Sequence, residues 1–378
     1  MSNFTSRPVL RWAVPALAAV AVVGAGVAAK TLAVAAEPNL PPRTAAQLLV
    51  DLQTATLDGL SGTVVERADL GLPAIPLLTG DQSSKLTSLV TGKHTLRVWY
   101  SGPDKARVSL LGTQGQSDVI HNGNDTWIWD SQTGEAQHFA GSAEGKAGDK
   151  PGAIPTPTDL PKSPQEAADL ALKAVDPTTA VSTGNSAKIA GRDAYELILR
   201  PRDNSTLVGE VRLAIDAKEK LPLRVQVLAR GQAEPAFEVA FTQVSFARPD
   251  DAEFKFNPPA GTKVTEADPA KAAEKAAEEQ KQHAEGSTAD KPKTTVIGTG
   301  WASVFVIRSS GADAKGADSE DAKKAQDALG QLPTGNGGRT FNSKLVSVLF
   351  TDDGRILVGS VTPEKLAQVA KDPAAALK

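Results

Sequence analysis

The 378-residue chain has no cysteine, only four histidines and a single methionine. Without cysteine there are no disulfides, no thiol nucleophile, no cysteine metal site and no lipobox cysteine to carry an N-terminal lipid. His94, His121, His138 and His283 fall in no two-residue or helical spacing with one another, so no histidine metal site is indicated. A Gly-x-Ser-x-Gly elbow is also missing, and so few histidines leave a catalytic triad little to work with. Gly298-Thr-Gly300 has Ser303 where a dinucleotide fingerprint needs its third glycine, and it precedes an apolar strand pattern rather than a helix. Asp352-Asp353 stands in an apparent hairpin turn, which Asp-Gly turn chemistry explains. No catalytic residue, metal ligand or cofactor is therefore expected, and the chain reads as a non-enzyme. A net charge of -3, with no Lys/Arg cluster, argues against a nucleic-acid partner.

What is present is ordinary globular material, 40% hydrophobic and 22% charged, with room for two domains. Arg7 and Arg11 precede an uncharged stretch from Trp12 to Ala29, followed by Lys30 and small residues up to Ala36. Residues 1–36 are expected to be a signal peptide or an N-terminal membrane anchor, which places the rest of the chain outside the cytoplasm, in the periplasm or cell envelope.

After a Pro-rich spacer, Thr44-Ala-Ala-Gln47 has the form of a capping box opening an amphipathic helix with Leu48, Leu49 and Leu52. Strands are expected over 61–68, 93–100, 105–111, 117–121, 126–129 and 135–139, separated by short turns that imply antiparallel neighbours. Ser163-Pro-Gln-Glu166 predicts a second helix to about Val175. From Arg192 to Val264 apolar and polar residues alternate: Tyr195, Leu197 and Leu199, then Val211, Leu213 and Ile215, then Leu223, Val225 and Val227, then Phe237, Val239 and Phe241 share one face. The other face carries Arg, Glu, Lys and Gln. Residues 266–293 form a charged Ala/Lys/Glu-rich linker. Residues 294–378 form a small α+β domain, with a strand through Trp301 to Ile307, a polar stretch around 309–338 that has room for one short helix, a hairpin of 342–350 with 355–361, and a last helix capped by Thr362-Pro363.

A sheet with one apolar face must cover it with helices, close into a barrel, or keep it for an apolar ligand. Trp127 and Trp129 share a face of their strand, with Ile128 opposite and Trp99 on a neighbouring strand. They are either core packing or the lining of a cavity. In the second case the lining comprises Leu96, Val98, Trp127, Trp129, Tyr195, Leu197, Leu199, Val211, Leu213, Ile215 and Val225. A lid would come from the apolar insertion at 69–92, through Leu72, Ile75, Leu77 and Leu78. Acyl chains suit such a cavity, since each buried methylene contributes about 0.8 kcal/mol without a polar motif.

Several segments are, in order, similar to those of the LolA/RseB superfamily. They are Leu96-Arg-Val-Trp-Tyr-Ser-Gly-Pro-Asp-Lys-Ala-Arg107, Asp118 to Asp130 with its Asn-Gly turn and Trp-Ile-Trp strand, Tyr195-Glu-Leu-Ile-Leu199, Leu213-Ala-Ile-Asp216 with Leu221-Pro-Leu-Arg224, and Phe256-Asn-Pro-Pro-Ala-Gly261. The resemblance spans residues 37–265. It implies a mainly β, α+β fold, a half-open antiparallel β-barrel closed by helices, holding acyl chains of lipids or lipoproteins without a cofactor. It also implies a membrane protein partner: a transporter if the protein is a lipoprotein carrier or chaperone, an anti-sigma factor if it is an RseB-like envelope-stress regulator. The second domain favours the RseB layout. Carriers of this superfamily often place an Arg before the hairpin Pro, where this chain has Gly102.

Overall fold

The computed structural model describes residues 38, 40–71, 92–112, 115–140, 177–267, 293–308, 329–330, 332–335 and 337–376. Residues 1–36, the helix expected at 163–175, Leu72, Ile75, Leu77 and Leu78 of the expected lid, and most of the linker lie outside the described residues. Among the described residues no helix is long and apolar enough to cross a membrane.

The N-terminal part begins with helix α1 (Ala45–Thr54). Its capping box forms as the sequence predicts: Gln47 N donates to Thr44 Oγ1 at 3.2 Å, and Thr44 N donates to Gln47 Oε1 at 2.9 Å. There follow β1 (Leu60–Ala68), β2 (Gly92–Tyr100), β3 (Lys105–Leu111), β4 (Gln116–Asn122), β5 (Asp125–Asp130), β6 (Glu135–Ala140), β7 (Thr179–Thr183), β8 (Ala187–Ile189), β9 (Arg192–Pro201), β10 (Val208–Asp216), β11 (Pro222–Ala229), β12 (Pro235–Ser245) and β13 (Lys263–Ala267). They make one 13-stranded sheet in the order β13-β6-β5-β4-β3-β2-β1-β12-β11-β10-β9-β7, with β8 also on β9. The short turns put consecutive strands side by side. The pairing of β1 with β12 welds the two meanders together.

The mainly β, α+β class expected from the sequence holds, and no closed barrel forms among the described residues. The sheet is open, with β13 and β7 at its edges, and of the expected closing helices only α1 is among the described residues, where it packs on β7 and β9. The sheet is also mixed, because β13 runs parallel to β6. The cause is the route of the chain. After β12 a 3-10 turn (Asp251–Phe254) packs on β3 and β4, so the chain reaches β6 at the end where β6 begins, and Lys263 N donates to Gly134 O at 2.8 Å.

A second sheet is built from β14 (Lys293–Ile297), β15 (Val304–Arg308), β16 (Thr334–Gly335), β17 (Gly338–Asn342), β18 (Ser347–Thr351) and β19 (Arg355–Gly359), in the order β14-β15-β19-β18-β17-β16. The strand expected to run through Trp301 to Ile307 starts only at Val304 and is the second arm of a hairpin, whose turn holds Gly298 at φ +88° and Gly300 at φ +57°. Those glycines serve left-handed turn positions. The stretch 342–350 likewise ends one strand and starts the next, across a turn in which Ser343 N donates to Val346 O. Helix α2 (Pro363–Ala370), capped by Thr362, lays Leu366 and Val369 on Val304, Val306, Leu349 and Leu357. The two sheets are joined by Leu207 N to Ser360 O at 2.8 Å, Thr362 N to Ser205 O at 2.9 Å, and Trp301 Nε1 to Thr179 Oγ1 at 2.7 Å.

Candidate functional site

Directly opposed residues of antiparallel strands share a face, so the strand register decides which candidate residues lie together. One row runs Leu197–Leu213–Val225–Val239–Glu66–His94 across β9, β10, β11, β12, β1 and β2. On the same face of β2 stand Leu96 and Val98, and from Val98 a second row continues through Val108 and Val119 to Ile128 on β5. This is the inner face. The predicted residues Leu96, Val98, Tyr195, Leu197, Leu199, Val211, Leu213, Ile215 and Val225 all lie on it.

Helix α1 occupies one side of that face. Leu48 and Leu49 pack on Leu197, Leu213, Ile215 and Val225, with Tyr195, Leu199 and Val211 around them. The Tyr195 hydroxyl donates to Pro41 O at 2.9 Å, fastening the chain ahead of the helix. Leu96 packs with Leu110, and Val98 with Leu60, Val64 and Val239. Beyond α1 the apolar row ends on Ile128, which is 38% exposed.

Trp127 and Trp129 are not part of this face. The outer row runs Trp99–Arg107–Ile120–Trp127–His138, so both tryptophans point away from Leu96 and Val98. The joint cavity lining expected for them is corrected: alternation along β5 separates Ile128 from its neighbours, and four registered hairpins carry that separation to β2. The tryptophans are packed from outside. Trp127 stacks on His138 at 3.9 Å, and Phe256, from the segment leading to β13, lies 5.1 Å from Trp127 and 5.8 Å from Trp129. Both tryptophans are half-buried on the outer face.

The outer face is otherwise a ladder of paired charges. Arg200 and Arg212 flank Glu210, Arg224 meets Glu196 at 3.0 Å, and Arg107 meets the buried Asp118 at 2.6 Å. Asp216 is buried, which alone would raise its pKa. Hydrogen bonds from Arg192 and from the backbone N–H groups of Glu219 and Lys218 outweigh that and hold it below the usual carboxylate range.

The residue that sequence reasoning passed over is Glu66. It stands on the inner face of β1, opposite Val239 on one side and His94 on the other, and is 2% exposed. Neither carboxyl oxygen has a hydrogen-bond partner. Burial raises its pKa from 4.5 to about 8, so the carboxyl is neutral through most of the physiological range. The alternation Gly62, Val64, Glu66, Ala68 was the available signal: a charge at an apolar position of a strand. Gly102 lies at φ +73° in the turn between β2 and β3, a conformation that suits glycine. No group of His, Asp or Glu side chains among the described residues could hold a metal ion.

No protein-family model matches the chain, and no curated protein does. Among solved structures, it is similar to the MucA/MucB complex of Pseudomonas aeruginosa, at 15% identity and TM-score 0.39 over 86% of this chain and 96% of that one. A LolA-superfamily protein from Nitrosomonas europaea matches at 12% identity and TM-score 0.21, over 57% of this chain and 99% of that one. An uncharacterized conserved protein from Thermus thermophilus matches at 11% identity and TM-score 0.33, over 58% of this chain and 98% of that one. Identities and scores this low carry no residue of a site across to this chain.

Proposed function

We propose that the protein is a non-enzymatic, extracytoplasmic binder of acyl chains, a LolA-like carrier or chaperone that takes up a lipid or the lipid of a lipoprotein and passes it to a membrane protein. The observation that supports it most is the apolar inner row Val98–Val108–Val119–Ile128, which continues beyond α1 and ends on an exposed isoleucine. Such a lane binds by apolar contact alone, so affinity should grow by about fourfold per methylene of the ligand. The test is competition by fatty acids of increasing length against a fluorescent acyl probe, on the wild type and Ile128→Asp. A steep chain-length dependence that Ile128→Asp weakens at least tenfold supports the reading, and affinity independent of chain length ends it.

A second reading, an RseB-like regulator whose C-terminal domain contacts an anti-sigma factor, is favoured by one feature. Phe305 is 56% exposed on the face of the second sheet away from α2, beside an open apolar cleft of about 330 Å³ lined by Trp301, Val346, Val358 and Val208. A carrier should deliver its lipid unchanged by Phe305→Asp. A regulator should lose its protein partner while still binding lipid.

A further inference from the structure

Glu66 is at odds with the rest of the molecule's buried carboxylates. Asp118 has Arg107 and Asp216 has Arg192, but Glu66 stands in its row between Val239 and His94 with both oxygens unused. An unpaired buried polar group costs stability, and a leucine here would remove the problem without disturbing the strand. Such a group is explained if a ligand completes it.

We propose that Glu66 is the hydrogen-bonding anchor for the acyl carbonyl of the bound ligand, the ester or amide that joins the chain to its head group. The inference rests on the acyl-chain reading above. Three observations choose this ligand chemistry. First, Glu66 sits two residue pairs from the end of the β1–β2 ladder, which closes at Ala68 and Gly92, while the buried apolar lane of Val64, Leu96 and Val98 runs inward from it. A chain lying in the lane would bring its polar junction to Glu66. Second, no lysine or arginine of the described strands faces the site. Among the described residues His94 faces it from β2 and Val239 from β12, and the neighbouring Arg67 and Glu238 are turned to the outer face, paired with each other at 3.8 Å. Third, a neutral carboxyl is a donor, which is what a carbonyl oxygen requires, and an ether oxygen is a far poorer acceptor.

The test uses the full chain and two probes of equal chain length, a diacyl and a dialkyl glycerophosphocholine, offered in mixed micelles below and above pH 8. One neutral hydrogen bond predicts a preference for the ester lipid of roughly three- to tenfold below pH 8. That preference should fade as the carboxyl ionises at about pH 8. Glu66→Leu should bind the ester lipid no better than the ether lipid. Glu66→Gln, whose amide also donates, should keep the preference and hold it above pH 8. Equal binding of both lipids by the wild type, or a preference that survives in Glu66→Leu, overturns the anchor and leaves the acyl-chain reading standing. Failure of the wild type to bind either lipid overturns both.

Discussion

Asp216 and Glu66 are buried alike, at 1% and 2% exposure, on opposite faces of one sheet, and their surroundings drive their protonation in opposite directions. On the outer face the sequence supplies Asp216 with Arg192 and two backbone donors, so the charge is kept. On the inner face nothing is supplied to Glu66, so the charge is suppressed. The difference separates polar groups that hold the sheet together from one that the sheet merely tolerates. It also predicts opposite responses to pH. Asp216 has its pKa lowered from 3.8, so its contribution is present above that value and is lost as pH falls through the folded pKa. Glu66 has its pKa raised from 4.5 to about 8, so its burial adds no pH-dependent cost below 4.5 and stability declines as pH rises toward 8.

The strongest way to break this comparison is to remove the outer carboxylate. Asp216→Ala leaves Arg192 without its main partner and strands the N–H groups of Lys218 and Glu219. Loss of a buried, hydrogen-bonded pair predicts a destabilisation of about 4 kcal/mol, read by urea denaturation at neutral pH. A loss under about 1 kcal/mol would mean that the outer ladder is decorative. Next in size is Leu48→Ala, which opens a cavity between α1 and the inner face and should cost about 3 kcal/mol. Glu66→Leu should act with the opposite sign. Above pH 8 it relieves a buried charge and should raise stability, and it should flatten the decline between pH 4.5 and 8. Denaturation midpoints of wild type and variant across that range check it, and parallel pH profiles would refute the assignment.

The same two faces explain what the sequence could and could not show. Strand limits from β1 to β6 are legible because each turn is short and marked, as at Ser101-Gly-Pro-Asp104. Alternation also separates Trp127 from Ile128 within β5. It does not say which of them faces Leu96, since that depends on the register of every hairpin between, and one slip of a residue exchanges the faces. The docking of α1 on β9 brings Leu48 to Leu197 across a separation that no local pattern reports. In the second sheet the apolar residues around Trp301 obscure a hairpin whose turn holds Gly298 and Gly300. Glu66 was legible and went unread, since a sheet scored for its apolar majority hides the one polar exception.

The smallest expected effect bears on whether α1 is part of the sheet's core or a cover that can lift. Its N-terminus is fixed by the reciprocal Thr44–Gln47 cap and by the Arg43–Asp51–Lys220 ion pairs, in which Arg43 meets Asp51 at 2.5 Å and Lys220 at 2.9 Å ties the helix to the turn after β10. Thr44→Ala removes one capping acceptor and should cost the helix about 1 kcal/mol. If α1 folds and unfolds with the strands, global stability falls by that amount and amide exchange rises equally in α1 and in β9. If α1 is a separable cover, global stability hardly changes and exchange accelerates about fivefold in Leu48 and Leu49 alone. The second result would mark α1 as the element whose displacement lengthens the apolar lane from Ile128 toward Leu213, and would join the two halves of the inner face into one binding surface.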